Sequence, residues 1–267
     1  MVKEISFVLR AMIYQEGFTF FYFSAKLAEL MLANIALMLG AYLLGSLPFM
    51  VALGKASGLD LSQEEDLHIA LWRKVGILEG LTAVFVDFAK GAIPILIGFG
   101  FGLPLAVVAS SGVVAVAGQM WPIFCHFDGE KGNTTGLSMI FILTLAYSAY
   151  PVFLFLIPMV IGAGTRFFLS MFSSRESVGE RLKFRETTNP IALGLPVGMI
   201  LGFATAPLAS WLSGQPVEIT LCLLALFLII LVRRLTAGLR ADLKASTNIT
   251  RMLLSRLLFD CSFLQRG

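Results

Sequence analysis

Apolar runs of about twenty residues recur along this chain, and no other feature limits its fold so tightly. A hydrocarbon layer about 30 Å thick takes about 20 apolar residues per helical crossing, and inside it only helices or closed barrels satisfy every backbone N–H and C=O. Such runs cover residues 30–53, 80–101, 103–125, 135–171, 189–213 and 217–234. The run 135–171 is too long for one ordinary span, and Pro151, following Tyr147, Ser148 and Tyr150, divides it in two. The chain is therefore expected to be an all-α polytopic membrane protein with seven transmembrane helices. Hydrophobic residues make up 57% of its 267 residues and charged residues 14%, against about 45–50% and about 25% in soluble domains. That balance excludes disorder and argues against a soluble domain.

Charge placement gives the orientation. Seven spans alternate the loops and put the termini on opposite sides, and the side rich in Lys and Arg is the cytoplasmic one. Lys55, Arg73, Lys74, Lys131, Arg166, Arg175, Arg181, Lys183 and Arg185 fall on one set of loops and span ends. Arg233, Arg234, Arg240, Lys244, Arg251, Arg256 and Arg266 close or follow the last span on that same side. The opposite turns, near residues 102, 150 and 215, contain neither Lys nor Arg. The N-terminus is thus expected outside and the C-terminus in the cytoplasm.

Three regions follow. Residues 1–29 are an interfacial or flexible extension: Lys3, Glu4, Arg10, Glu16, Lys26 and Glu29 interrupt the apolar residues too often for a secretory signal, and Phe18, Phe20, Phe21, Tyr22 and Phe23 suit an interface. Residues 30–235 form the membrane domain. Residues 236–267 interleave basic and apolar positions and read as a basic amphipathic tail on the inner leaflet. A net charge of only +3 provides no nucleic-acid surface. Cys125, Cys222 and Cys261 lack zinc or redox spacing, so no metal site or disulfide framework is expected.

Four groups carry possible chemistry. In GQMWPIFCHFDGEKGNTTG, residues 118–136, a span ends in a turn holding Gly129, Lys131, Gly132, Asn133, Thr134 and Thr135 and passes straight into the next span. Glycines let backbone N–H groups approach an anion, Lys131 supplies a charge, and Asn133 or Thr134 can cap a helix whose positive dipole end points at the same spot. These are the parts of a phosphate cradle, although Asp128 and Glu130 oppose an anion. Asp87 and Lys90, in DFAKG, share one helix face inside the second span, where ionisable side chains are functional suspects. GSLP, Gly45 to Pro48, permits close helix packing and a kink. In the first loop His68, Trp72, Arg73 and Lys74 can meet lipid headgroups, and Arg73 can grip a phosphate by two hydrogen bonds. No GxSxG, HExxH or close pair of intramembrane aspartates is present.

From about Gly40 to Gly136 these strings resemble the bacterial PlsY-type acyl-phosphate:glycerol-3-phosphate acyltransferases. GSLP with Gly54, Lys55, Gly58 and Asp60 is similar to that family's first-span signature, DFAKG to its D-x-x-K-G, and the Lys131 segment to its G-H-x-x-P to G-G-K-G-x-A-T stretch. The resemblance implies a seven-span bundle in a bacterial-type inner membrane, with a cytoplasmic site making lysophosphatidate from an acyl-phosphate and glycerol 3-phosphate. It implies membrane lipid as surroundings and no metal or cofactor. On that basis Lys131 and Arg73 are the catalytic candidates. Gly129, Gly132, Asn133, Thr134, Thr135, Gln119 and Ser46 bind substrate or phosphate, and Asp87 and Lys90 support them. The candidates for a proton acceptor are the substrate's own phosphate, His68 and His126. The chain departs from the family where LSQEEDLHIALWRKV replaces a Gly-Ser-Gly-Asn loop, where Gln119 replaces His and where Glu130 replaces a Gly. The alternative reading is a catalytically inactive relative that binds lipid or a partner.

Overall fold

The computed structural model describes residues 2–60, 67–172, 190–237, 239, 243–244 and 249–259, with side chains from Phe23 onward except at Ile69, over 166–195 and at scattered later positions. Its regular structure is helical: α1 (Val2–Ser46), α2 (Phe49–Ala56), α3 (Leu67–Lys74), α4 (Ile77–Gly100), α5 (Leu105–Met120), a 3-10 turn (Ile123–Cys125), α6 (Asn133–Leu145), α7 (Tyr150–Phe172), α8 (Pro190–Leu212), α9 (Val217–Thr236) and α10 (Ile249–Phe259). Four segments, Phe23–Ala56, Ile77–Gly100, Leu105–Cys125 and Val217–Thr236, are long and apolar enough to cross a membrane. Asn133–Leu145, Tyr150–Thr165 and Pro196–Leu212 are shorter apolar helices. Arg175, Arg181, Lys183, Arg185, Arg240 and Arg266 lie outside the described residues, as do the side chains of Arg166 and Arg251.

Helix boundaries follow backbone chemistry. The first apolar run is not one helix: Pro48 has no N–H to donate, so α1 stops at Ser46 and α2 restarts at Phe49. Pro151 sits just inside the start of α7, where a missing N–H costs nothing. α1 runs without a break through position 29, and its 45 residues span about 68 Å at about 1.5 Å each.

α5 is packed against α1, α4, α6 and α9, and α8 against α7 and α9. Their shared core includes Ile95, Val116, Met139, Phe155, Phe203 and Leu223, each at most 1% exposed. Glycines set the closest crossings, since in lipid helices associate through tight backbone approach rather than a hydrophobic driving force. A Cβ on Gly45 or Gly118 would overlap backbone across the α1–α5 crossing, and one on Gly91 would overlap Thr135 and Ser138 where α4 meets α6. A smaller cluster of Met50, Leu67, Ala70, Leu71 and Ala83 seats α2 and α3 on α4. In the tail, α10 packs against α8 and α9 with Met252 and Arg256 buried, and Arg234 of α9 donates to the carbonyls of Pro196 and Leu257 at 3.1 and 3.3 Å. The helical part of the tail is therefore docked on the bundle.

Candidate active site

Asp87 and Lys90 come together because positions three apart on α4 are neighbours. The Lys90 ammonium lies 3.1 Å from Asp87 Oδ1 and donates to the Leu47 carbonyl at 2.9 Å. That carbonyl is in the step between α1 and α2, so the break at GSLP supplies an acceptor that a continuous helix would have used internally. Both residues are essentially buried, at 0% and 2% exposure, where an uncompensated charge is costly.

Two further groups close on the other carboxylate oxygen. Gln119, in the last turn of α5, donates through Nε2 to Asp87 Oδ2 at 2.5 Å and to Glu130 Oε2 at 3.2 Å. His68 of α3 brings Nε2 to 3.2 Å from the same Asp87 oxygen. One donor atom from each of His68, Asp87 and Glu130 lies within 4.8 Å of the others, and such a trio could ligate a cation. Here Lys90 supplies a cation to Asp87 and the Gln119 NH2 group bridges the two carboxylates, so the cluster carries its own positive charge.

The turn after α5 folds back onto this cluster. The Glu130 N–H donates to the Gln119 carbonyl at 3.1 Å, and a Cβ on Gly129 would overlap that carbonyl and the Pro122 ring. Gly132 has φ +70°, a left-handed conformation that glycine adopts without steric cost, and it caps α6 without a side-chain hydrogen bond. The cap expected from Asn133 or Thr134 is therefore not formed: both lie inside the first turn of α6, whose leading N–H groups have no intrahelical acceptor. Lys131 is half-buried between Glu130 and Gly132.

The two acids that oppose an anion at this turn are both restrained. Arg233 of α9 lies 3.1 Å from Asp128 Oδ1 and also donates to the Gly129 carbonyl. Burial, and then the charge of Asp87, push the Glu130 carboxyl from an ordinary 4.5 up to about 8, against a smaller opposing pull from Lys90.

The remaining candidates are placed as follows. Ser46 is buried and its hydroxyl donates to the Tyr42 carbonyl at 2.8 Å. Thr135 donates to the Asp87 carbonyl at 2.8 Å, tying α6 to α4. Arg73 is exposed in the last turn of α3, and His68, five residues earlier, is the α3 residue that reaches Asp87. His126 is exposed, with φ +53°, at the start of the turn. Sequence reasoning did not place Glu130 or Arg233 in the site. Glu130 read only as an opposing charge and Arg233 as a positive-inside residue, and no spacing motif links segments so far apart in the chain.

A family-wide sequence profile described as glycerol-3-phosphate acyltransferase matches residues 35–241. Among curated relatives of that name, the chain is 37% identical to one from Geotalea daltonii over 112 residues, 41% of this chain and 58% of the relative. It is 37% identical to one from Aquifex aeolicus over 109 residues, 39% and 57% of the two chains. These matches span just under three-fifths of the relatives' own length. A crystal structure of PlsY, an integral membrane glycerol 3-phosphate acyltransferase in its glycerol 3-phosphate form, superposes with a TM-score of 0.54 at 25% identity, covering 84% of this chain and 94% of that one. The lysophosphatidic acid form, at 24% identity and a TM-score of 0.56, covers 80% and 93% and shares the fold. By the match over most of its length, the chain belongs to the glycerol-3-phosphate acyltransferase family.

Proposed function

We propose that the chain transfers an acyl group from an acyl-phosphate to the 1-hydroxyl of glycerol 3-phosphate, releasing lysophosphatidate and inorganic phosphate. The observation that carries this reading is the Lys131 turn, fixed by Gly129, Gln119 and Arg233 against the buried Asp87–Lys90 pair in a chain of this family. Lys131 and the N–H groups of Gly129 and Gly132 hold one phosphate, with Asn133, Thr134, Thr135, Gln119 and Ser46 around it. Arg73 serves a second phosphate. Asp87 and Lys90 support the turn from behind. An acyl-phosphate is a mixed anhydride with a good leaving group, so positioning and charge neutralisation supply much of the catalysis without an acyl-enzyme.

In this reading the seven apolar helices cross a bacterial-type inner membrane with the N-terminus outside and the C-terminus in the cytoplasm, a placement supported by the charge distribution. Residues 30–235 form the catalytic bundle, residues 1–29 an extension and residues 236–267 a cytoplasmic tail. The acyl chain lies among the spans, in contact with membrane lipid, and no metal or cofactor is required.

The test is acyl transfer by the purified full chain from a long-chain acyl-phosphate to labelled glycerol 3-phosphate. Wild type is expected to form lysophosphatidate and Lys131→Ala to lose the activity. Retained activity in Lys131→Ala would remove the site assignment. No transfer by a folded wild type, with failure to rescue a strain lacking its own glycerol-phosphate acyltransferase, would favour an inactive relative.

A further inference from the structure

The last turn of α9 carries two consecutive arginines, Arg233 and Arg234, at 7% and 5% exposure. Neighbouring positions on a helix do not face each other, so the two side chains leave α9 toward different parts of the protein. Arg233 reaches the turn after α5, where it pairs with Asp128 Oδ1 at 3.1 Å and donates to the Gly129 carbonyl. Arg234 reaches the other way, donating to the Pro196 carbonyl of α8 at 3.1 Å and to the Leu257 carbonyl of α10 at 3.3 Å. One helical turn is thus tied both to the proposed phosphate turn and to the C-terminal helix.

α10 begins at Ile249, beyond the residues 35–241 that match the family profile. It is nevertheless seated in the bundle. It packs on α8 and α9 and buries Met252 and Arg256, one helical turn apart, at 0% and 2% exposure, while Ile249 and Leu254 stay exposed. A helix opens first at its ends, where the last carbonyls have no intrahelical partner. α9 ends at Thr236, and Ala237 has left helical geometry with φ −60° and ψ 116°. The stretch of α9 that would open first therefore includes the residue that grips the Lys131 turn, and Arg234 is what fastens that stretch to two other helices.

We propose that Arg234 is a positioning residue: by tying the last turn of α9 to α8 and α10 it holds Arg233 on Asp128 and Gly129, so that the docked C-terminal helix sets the order of the Lys131 turn. Its bearing on catalysis rests on the acyl transfer proposed above, whereas the coupling between tail and turn does not. Gly129, Lys131 and Gly132 follow directly on the groups that Arg233 grips. Loosening that grip spreads the positions of the donors, and donors that stabilise a phosphate together act only at a fixed spacing.

The experiment is hydrogen exchange over residues 128–132 of the full chain, read by mass spectrometry, with steady-state kinetics alongside. The Glu130 N–H, which donates to the Gln119 carbonyl at 3.1 Å, reports whether the turn is closed. Arg234→Met removes the tie. Met252→Glu unseats α10 by placing a charge at a fully buried position of that helix, and it keeps every residue of α1 to α9. Each is expected to speed exchange of the turn by about tenfold, the factor that corresponds to losing one hydrogen bond from a charged donor. Each should also raise KM for glycerol 3-phosphate or the acyl-phosphate about tenfold with kcat within about twofold, the pattern of a lost binding contribution. In an Arg233→Met background neither is expected to add to the effect, because the coupling runs through Arg233. Leu254→Ala, on the exposed side of α10, is expected to change nothing. Unchanged exchange of the turn in both Arg234→Met and Met252→Glu, or a full tenfold rise on top of Arg233→Met, would overturn the coupling. A wild type that transfers no acyl group while its variants show the coupled exchange would refute the catalytic reading alone.

Discussion

Replacing Lys90 with Met tests whether the buried pair stands as a unit. Asp87 would keep Gln119 and His68 as neighbours of Oδ2 but lose the ammonium at 3.1 Å from Oδ1, and at 0% exposure no water replaces it. Breaking a buried pair by removing one partner costs about 3–5 kcal/mol. At about 2–4 °C per kcal/mol for a chain of this size, the melting temperature should fall by about 6–20 °C. Asp87→Asn alone should be costly too, because it strands the ammonium with the neutral Leu47 carbonyl at 2.9 Å. The double variant removes both charges, and its loss should be smaller than the sum of the single losses by about 0.5–3 kcal/mol. The assay is thermal unfolding of the three variants in one detergent, at one pH and salt concentration. Additive losses, or a Lys90→Met protein within about 1 kcal/mol of wild type, would refute mutual neutralisation, since an independent pair shows no coupling.

Glu130 should make stability fall as pH rises. Its folded-state value of about 8 lies above the ordinary 4.5, so the folded chain binds the extra proton between those values, and the benefit, complete below about 4.5, is lost as pH climbs through about 8. Glu130→Gln should flatten the melting temperature over pH 5–8.5, and an unchanged slope would show that this carboxyl is not the group responsible. At the α1–α5 crossing, Gly45→Val drives a Cβ into the Ala115 carbonyl, whereas Gly40→Val meets open space. Overpacking costs about 1–3 kcal/mol, so thermal unfolding should separate the two variants, and equal melting temperatures would refute the close approach.

The apolar runs by themselves determined that the chain is helical and where its apolar helices lie, because in lipid a backbone must satisfy its own hydrogen bonds and few other solutions exist. Every run read as a span is helical, although the first is divided between α1 and α2 at Pro48, and Pro151 lies at the start of α7. The position of the Lys131 turn between two helices was equally legible, since its residues are consecutive in the chain. The rest of the site was not. His68, Asp87, Gln119 and Glu130 come from three helices and a turn, and their contacts depend on glycine-set crossings whose angle and depth no local pattern encodes. Sequence alone could not say whether Arg73 or His68 of α3 reaches the cluster, because that depends on which face of α3 the apolar residues Leu67, Ala70 and Leu71 bury. Nor could it show that Arg233 engages Asp128, or that Glu130 turns inward and keeps its proton. Burial and the field of neighbouring charges decide those states, and both exist only once the helices are packed.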